Sequence, residues 1–342
     1  MAIVGTAVTL RDLQLTTENG EIADIIEALD EENDTSEFMF KSGNLLTGNV
    51  TTRRNSLPTV SKRRINEGTT PTKSTNTQVS DTACIAESYS EIDNEIVRLE
   101  GGGDAKSAAG KAFRWSEDLG HVEGMKQTFI NDFVYGDEAT DDTECTGIAA
   151  RRAAPSTVRS EAGYYMIDGG GVSASAQNCS AYLIPWGDRT VHCMYPKGTT
   201  AGLEREDLGK VTKEDSTGLR EVWRSHFMWH YGLVEKDVRA MVRICNIDVP
   251  ALRAGTGADL IEMMIIAEHV SRGMKKGRAV WYVPEVVSTF LDLQTLTSSN
   301  MNVSYKEDPH GSPVMNFRQK PVRTLDALLE TEATIAGTFA HG

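Results

Sequence analysis

The sequence Asn49-Val50-Thr51-Thr52-Arg53-Arg54-Asn55-Ser56, followed later by Lys73-Ser74-Thr75-Asn76-Thr77-Gln78-Val79, decides how the rest of the chain is interpreted. Both stretches are rich in threonine, which favours strands, and both are polar on each face. Pro58, Gly68 and Pro71 lie between them and indicate a loop. We therefore predict two extended strands in a long hairpin. Because a two-stranded hairpin alone is marginal in water, we expect it to lie on another chain; the alternative is a disordered loop.

Opposite charges are concentrated in two neighbouring segments. Nine acids and no lysine or arginine lie between Glu18 and Glu37, whereas six bases and a single acid lie between Thr51 and Lys73. Such a distribution predicts ion pairs, either within one subunit or between subunits. The candidate inter-subunit residues are the charged members of these segments: Arg53, Arg54, Lys62, Arg63, Arg64, Glu21, Asp24, Glu27 and Glu31.

Apolar spacing predicts two helices in the first half of the chain. Ile22, Ile25, Ile26 and Leu29 follow the i, i+3, i+4, i+7 pattern of a short acidic helix, with Asn19 as its N-cap. A longer helix is predicted at about residues 111–134, where large apolar side chains recur at helical spacing. Ser80 to Leu99 is predicted to be helical or mixed.

The second half alternates short strand and helix patterns. The predicted strands are Ala181–Trp186, Thr190–Tyr195, Ala279–Val283, a pair formed by Phe227–Tyr231 and Ala240–Ile244, and a hairpin of Asn302–Tyr305 with Val314–Phe317. Helices are predicted near Ala258–Arg272 and Glu285–Leu296, and Thr324–Glu332 is predicted to be strand or helix. The whole pattern indicates an α+β fold.

Composition excludes several classes of protein. The chain has 342 residues, of which 39% are hydrophobic, and this is enough to bury a core. It contains no run of 18 apolar residues that could cross a membrane. Its five cysteines lack CxxC spacing, which favours reduced thiols over a metal site. A formal net charge of −14 disfavours a protein that grips nucleic acid over its surface but suits a wall that encloses it.

No spacing of polar residues predicts an enzyme. Gly101-Gly102-Gly103-Asp104-Ala105-Lys106-Ser107 has the wrong spacing for a phosphate-binding loop and favours a hinge. His226 and His230 lack a third metal ligand nearby in the sequence. Asp141-Asp142-Thr143-Glu144 could hold a cation, but we interpret it as a solvated loop. We predict no catalytic, cofactor-binding or metal-binding residue.

Several motifs, taken in order, resemble the major capsid protein of epsilon15-like short-tailed bacteriophages. The motifs are Gly43-Asn44-Leu45-Leu46-Thr47-Gly48, Leu57-Pro58-Thr59-Val60, Phe113-Arg114-Trp115-Ser116-Glu117-Asp118, Trp186-Gly187-Asp188, Tyr195-Pro196-Lys197-Gly198, Cys245-Asn246-Ile247-Asp248 and Pro321-Val322-Arg323-Thr324-Leu325-Asp326-Ala327-Leu328. Each is weak alone, but their order is specific, and the similarity runs from about residue 10 to 332.

The resemblance implies an HK97-type capsid fold with a fixed order of parts. These are an N-terminal arm (1–44), an extended loop (45–83), a peripheral domain (84–149) with a spine helix at about 111–134, a mainly axial domain (150–290) and a C-terminal return to the peripheral domain (291–342).

The resemblance also implies a function and partners. The subunit is expected to self-assemble, as hexamers and pentamers, into an icosahedral shell that encloses phage double-stranded DNA non-specifically. A portal protein and possible scaffold and decoration proteins are the expected partners, with no membrane or cofactor. The virion capsid, assembled in the host bacterial cytoplasm, is the expected location. The alternatives are a nanocompartment shell of the same fold that encloses protein cargo, and a cytosolic α+β enzyme of unrecognised chemistry.

Overall fold

A computed structural model describes residues 17–18, 21–22, 33, 35–171, 177–215, 218–297, 303–307 and 313–341. Its strands are β1 Thr17–Glu18, β2 Glu21–Ile22, β3 Phe40–Ser42, β4 Gly48–Ser56, β5 Thr75–Thr82, β6 Cys84–Asp93, β7 Met166–Asp168, β8 Asn178–Trp186, β9 Val191–Tyr195, β10 Leu203–Asp215, β11 Gly218–Glu235, β12 Val242–Asp248, β13 Arg278–Val283, β14 Val303–Glu307, β15 Pro313–Phe317 and β16 Lys320–Thr324. Its α-helices are α1 Asn94–Glu100, α2 Ala108–Tyr135, α3 Val249–Arg253, α4 Leu260–Val270 and α5 Glu285–Thr297.

Contacts divide the chain into two units. The first, which we call the long-helix unit, contains residues 85–130 and 202–230 with the described residues before 31; the second, the large-sheet unit, contains residues 32–84, 131–201 and 231–342. This division differs from the predicted boundaries, because 202–230 groups with the long helix and the C-terminal strands group with 131–201. The assignment of peripheral and axial domains stays a prediction.

The long-helix unit packs α2 against a sheet with the order β10-β11-β6. The 28 residues of α2 span about 42 Å at 1.5 Å per residue. Phe113 and Phe129 are buried on the sheet side of α2, where the rings of Phe129 and Trp229 lie 4.5 Å apart. The carboxylate of Asp118, which is also buried, accepts hydrogen bonds from Arg205. The predicted helix at about 111–134 is therefore confirmed and is slightly longer.

The large-sheet unit is built on a sheet with the order β9-β8-β13-β16-β15-β14, to which β12, β7 and β3 add at the sides. All nine residues of β8 are buried, as expected for a central strand covered on both faces. Helices α4 and α5 pack on this sheet, with Met264, Leu291 and Trp281 in one apolar core. The helix near 258–272, the helix near 285–296 and the strand at 279–283 are confirmed.

Most of the other predicted strands are confirmed. The long polar hairpin consists of β4 and β5 in antiparallel register, from Gly48 opposite Thr82 to Ser56 opposite Thr75. The hairpin predicted near residues 302–317 is β14 with β15, and its turn lies outside the described residues. The helical or mixed segment at 80–99 is mixed, with the end of β5, then β6 and the start of α1.

Three predictions of local structure need correction. The strands at 227–231 and 240–244 exist but do not pair, because β11 pairs with β10, β6 and β9 whereas β12 pairs with β7 and β8. Residues 325–332 form turns and bridges, since β16 ends at Thr324. At the start of the predicted acidic helix, Thr17 pairs with Ile22 in a two-stranded ladder, and Ile25, Ile26 and Leu29 lie outside the described residues.

Candidate inter-subunit surface

The extended hairpin, β4 and β5 with the loop 57–74 between them, has no buried apolar face. Along its strands only Gly48, Asn49 and Asp81, all at its base, are buried, and the whole loop is exposed except for Ser74, which is half-buried. The strands pair with each other and with no other strand in the described part of the chain. Two strands with this exposure lack the core that normally stabilises a sheet.

The loop of the extended hairpin exposes large apolar side chains. Leu57, Val60 and Ile65 are 76%, 89% and 91% exposed. Single exposed apolar residues are common on proteins, but three in one 18-residue loop are a concentration, which we call the apolar patch of the loop. The patch suits burial against another polypeptide.

Lysine and arginine side chains accompany the apolar residues of the loop. Lys62, Arg63 and Arg64 are exposed, and their contacts within the described chain are local. The guanidinium of Arg63 donates to the carbonyl of Glu67 at 3.1 Å, and the backbone amide of Arg64 donates to the Glu67 carboxylate at 3.2 Å. The guanidinium of Arg54, on β4, is likewise exposed. These four predicted contact residues therefore remain accessible to a partner.

Arg53 differs from the other predicted basic residues. Its guanidinium donates to the carbonyl of Glu235, within the large-sheet unit, and its burial lowers the pKa of the side chain. Asp81 and Glu235 lie close enough to oppose that shift in the pKa. Arg53 thus has partners in its own chain, and it acts at the base of the extended hairpin.

A buried set of ion pairs fixes the base of the extended hairpin. Arg151 pairs with Asp81 at 2.8 Å, and Arg152 pairs with Glu235 at 2.5 Å, with both members of each pair largely buried. Burial raises the pKa of Asp81, whereas for Glu235 the attraction of Arg152, Arg151 and Arg53 outweighs burial and lowers the pKa. Sequence reasoning missed this set, because Arg152 and Glu235 are 83 positions apart and Arg151 and Asp81 are 70 apart.

The predicted acidic residues are only partly described. Glu21 lies in β2 opposite Glu18, and Asp24, Glu27 and Glu31 lie outside the described residues. Glu37, at the end of the acidic segment, is buried and pairs with Arg278 at 2.6 Å and with Arg323 at 3.2 Å. The structure therefore does not bring the predicted acids and bases together among the residues that it describes.

A basic groove lies between β4 and the body of the large-sheet unit, and sequence reasoning missed it. The groove has a volume of about 640 Å³ and is lined by six cationic side chains and one carboxylate, Asp237. The cationic residues are Arg53, Arg54, Arg159, Arg189, Lys236 and Arg239. These residues come from separate segments of a chain whose net charge is −14. No single run of basic residues in the sequence therefore predicts the groove.

The described residues hold no constellation that indicates catalysis or metal binding. No group of three or more histidine, cysteine, aspartate or glutamate side chains is arranged to hold a metal ion within those residues. His226 lies 3.0 Å from the Glu87 carboxylate and stacks on Tyr89, and the five cysteines are buried free thiols. None of the described helices has the length and apolar character to cross a bilayer.

Comparisons with known proteins agree with this architecture. The sequence matches the family described as Major capsid protein GP7 over residues 17–336. Among solved structures, a chain from the cryo-EM structure of bacteriophage Epsilon15 matches with 29% identity and a TM-score of 0.75, covering 98% of this chain and 99% of that one. A chain of the bacteriophage JBD30 capsid matches with 10% identity and a TM-score of 0.47, covering 88% and 93%. No curated protein matches the sequence.

The fold and the family agree with the prediction made from the sequence motifs. The chain has the α+β, HK97-type fold of phage capsid subunits, and its role is structural, in the shell of a virion. The family and the similarity to the Epsilon15 chain imply that its subunits assemble with one another into an icosahedral shell. From the match over nearly its whole length, we conclude that the chain belongs to the major capsid protein GP7 family.

Proposed function

We propose that this subunit forms the hexameric and pentameric rings of an icosahedral shell and that its extended hairpin lies over a neighbouring subunit. The observation that carries the proposal is the exposure of the hairpin, whose strands pair only with each other among the described residues and whose loop exposes Leu57, Val60 and Ile65. Identical subunits that contact one another head to tail close into rings, as the proposal requires.

Burial of the loop supplies the main driving force in this proposal. Fully burying one large aliphatic side chain stabilises a contact by about 1.5–3 kcal/mol. Three such side chains per loop contribute to every contact around a ring, before the entropy of ordering the loop is counted. The contact is therefore modest for one subunit pair and becomes large only when it is repeated over a shell.

Electrostatic attraction gives the contact its specificity. Arg54, Lys62, Arg63 and Arg64 would face carboxylates of a neighbour, and the acidic segment from Glu18 to Asp34 contains eight. Each exposed ion pair contributes only ~0–1 kcal/mol. Such pairs weaken as salt shortens the range of their attraction, so assembly should be sensitive to ionic strength.

The proposed contents of the shell are double-stranded DNA. A net charge of −14 supports enclosure without tight binding, since a wall that gripped the phosphate backbone would need to be basic. We further propose a portal protein, possible scaffold and decoration proteins as partners, and assembly in the host bacterial cytoplasm. In this proposal residues 1–44 form the arm, 45–83 the extended loop, 84–149 the peripheral domain, 150–290 most of the axial domain and 291–342 the return to the peripheral domain.

Charge reversal in the loop tests the role of the extended hairpin. The variant Lys62→Glu, Arg63→Glu, Arg64→Glu should fold as the unaltered chain does but fail to form shells in negative-stain electron microscopy. A matched variant that keeps the charge, Lys62→Arg, Arg63→Lys, Arg64→Lys, should form normal shells. Arg53 is left unchanged because its reversal would place a carboxylate beside Asp81 and Glu235. Normal particles from the reversed variant would contradict the proposal.

A further inference from the structure

The basic groove of the large-sheet unit has cations that its own chain leaves available. Arg54 and Arg189 are exposed and have no carboxylate partner within the described part of the chain. Arg159 is also exposed, and its guanidinium contacts the ring and hydroxyl of Tyr164 and no carboxylate there. Three guanidinium groups around one concavity form a site suited to carboxylates, which arginine binds through paired hydrogen bonds.

The carboxylate that lines the groove is already compensated. Asp237 accepts from Arg239 at 2.9 Å and from Lys276 at 2.6 Å. Lys236 pairs with Asp188 at 3.2 Å. The groove therefore presents surplus positive charge, in a chain that is strongly acidic as a whole.

A described loop of the same unit carries surplus negative charge. Residues 137–144, which we call the acidic loop, begin two residues after the end of α2 and contain five acids and no lysine, arginine or histidine. None of these acids forms an ion pair among the residues that the structure describes, and 138–143 are exposed. The acids are Asp137, Glu138, Asp141, Asp142 and Glu144.

Hydrogen bonds within the acidic loop fix its shape. Asp141 accepts from the backbone amide and the hydroxyl of Thr143 at 2.9 and 2.7 Å, and these bonds lower the pKa of its carboxyl group. Glu144 accepts from the amide of Asp137 at 3.0 Å. The bonds hold the carboxylates in place without neutralising them. Because the loop is already ordered, it loses little conformational freedom when it binds a partner.

The acidic loop does not occupy the groove of its own chain, and none of its residues lines that groove. Glu138 accepts a hydrogen bond from Thr82, which lies opposite Gly48 at the base of the extended hairpin. The part of β4 that lines the groove runs from Thr52 to Ser56. At about 3.4 Å per residue, that part lies about 14–27 Å along the strand from Gly48.

Backbone hydrogen bonds close the acidic loop at its base. The amide of Gly147 donates to the carbonyl of Gly136 at 2.8 Å, and the amide of Ile148 donates to the carbonyl of Phe133 at 2.9 Å. The loop is therefore held beside the end of α2 and cannot swing into its own groove. Its carboxylates and the cations of the groove lie on separate surfaces of one subunit, as a head-to-tail contact between two copies requires.

A nucleic acid is the other polyanion that could occupy a basic groove. Its charge extends far beyond a cavity of about 640 Å³, however, and the remaining surface of a chain with net charge −14 repels it. A short acidic loop requires only the local charge of the groove. The observations therefore favour the loop.

We propose that the basic groove binds, through Arg159 and Arg189, the acidic loop of a second copy of this chain. This inference rests on the proposed shell assembly and adds to it a contact that joins each subunit to the next around a ring. It assigns contact roles to Arg159, Arg189, Glu138 and Asp142, none of which the sequence predicted.

Cysteines placed on the two surfaces test the proposal in assembled shells. Ala139→Cys with Ser160→Cys puts one thiol on the acidic loop and one in the groove, both at exposed positions, and removes no charge. The five native cysteines are buried, so a short bis-maleimide should react at the new thiols, each of which adds across one maleimide double bond. Denaturing electrophoresis should show a ladder of covalent oligomers. Chains that stay monomeric with both thiols modified would overturn the proposal.

A second cysteine pair is the matched control. Ala139→Cys with Ala254→Cys keeps the thiol on the acidic loop and moves the other to an exposed residue at the end of α3, outside the groove. This pair should give a much weaker ladder. A ladder of equal strength would show that the links report only the crowding of chains in a shell, and it would overturn the proposal.

Charge reversal tests whether attraction makes the contact. In the chain with Ala139→Cys and Ser160→Cys, reversal of the groove should lower the yield of covalent oligomers at least about tenfold, the equivalent of about 1.4 kcal/mol, and so should reversal of the loop. The reversals are Arg159→Glu with Arg189→Glu and Glu138→Arg with Asp142→Arg. All four together restore opposite charges and should recover most of the yield. A fourfold variant no better than either pair would overturn the proposal.

Two further measurements separate this proposal from its alternatives. In electron microscopy, shells of the Ala139→Cys, Ser160→Cys chain without a ladder contradict the groove contact alone, whereas no shells from the unaltered chain contradict the assembly. A fluorescent DNA duplex tests the rival occupant on the full-length chain. Duplex binding that Arg159→Glu with Arg189→Glu abolishes, together with a ladder that the same reversal leaves unchanged, would overturn the proposal in favour of nucleic acid.

Discussion

At the scale of single residues, the base of the extended hairpin contains a cluster of buried charges. Arg152 is fully buried and pairs with Glu235, and it also donates to the carbonyls of Val238 and Met241 at 2.8 and 3.2 Å. A buried pair of this kind adds little net stability over apolar residues of similar size. Removing Arg152, however, leaves Glu235 buried without its hydrogen-bonded partner. The pair therefore holds β11 and the following turn in one arrangement.

Replacement of Arg152 tests that account. Arg152→Leu should lower the free energy of unfolding of the unassembled chain by about 3–5 kcal/mol, because Glu235 loses its partner in a buried position. Lys210→Leu is the control, since Lys210 and Glu221 form an exposed pair at 2.6 Å whose loss should cost no more than ~1 kcal/mol. Urea denaturation measures both, and equal losses of stability would contradict the account.

A buried histidine gives the large-sheet unit a dependence on pH. Burial, reinforced by Lys236 and Lys41 and opposed by Asp188, lowers the pKa of His192 from 6.5 to about 4. The folded state therefore takes up the proton less readily than the unfolded state does. The contribution of neutral His192 to the free energy of unfolding is therefore fully present above pH 6.5 and is lost as the pH falls towards 4.

The pH dependence should disappear with the imidazole. In thermal unfolding of the unassembled chain between pH 7 and pH 4.5, His192→Gln should flatten the decline in melting temperature. His269→Gln, at an exposed position of α4, should leave the decline unchanged. A decline as steep in His192→Gln as in the unaltered chain would show that other groups cause it.

At the scale of elements, the sequence predicts structure where local pattern and packing agree. The extended hairpin could be predicted because threonine-rich stretches flank a loop with proline and glycine, and α2 because large apolar residues recur at helical spacing. Strand β10 was missed because its sequence, with Glu204, Arg205, Glu206 and Asp207 in succession, has no apolar face. It is a strand because it pairs with β11 along its length.

The apolar patch of the loop should affect assembly without affecting the fold. Leu57→Ser, Val60→Ser and Ile65→Ser together should change the free energy of unfolding by no more than about 0.5 kcal/mol, because surface substitutions of this kind remove no buried contact. The same variant should need a higher protein concentration to form shells, as measured by light scattering. Leu219→Ser, also at an exposed position, is the control. A large loss of stability in the triple variant would mean that the loop packs on its own subunit.

At the scale of the whole molecule, the division into units is what the sequence could not supply. Residues 85–130 and 202–230 form one unit although 71 residues of the other unit, 131–201, separate them in the chain. The basic groove likewise collects residues from four separate segments, of which only the β4 part carried a visible pattern. Pairings over such distances depend on tertiary packing, which local sequence patterns do not contain. The order of the short motifs, by contrast, is enough to indicate the family.

The central claim is that the extended hairpin completes its structure on another copy of the chain. Hydrogen–deuterium exchange of residues 57–74, compared between unassembled subunits and purified shells, tests it most directly. The account predicts rapid exchange of these amides in the free subunit, where the loop is almost wholly exposed, and marked slowing in shells. Equal exchange in both states, with the loop either open in the shell or already protected in the free subunit, would contradict it.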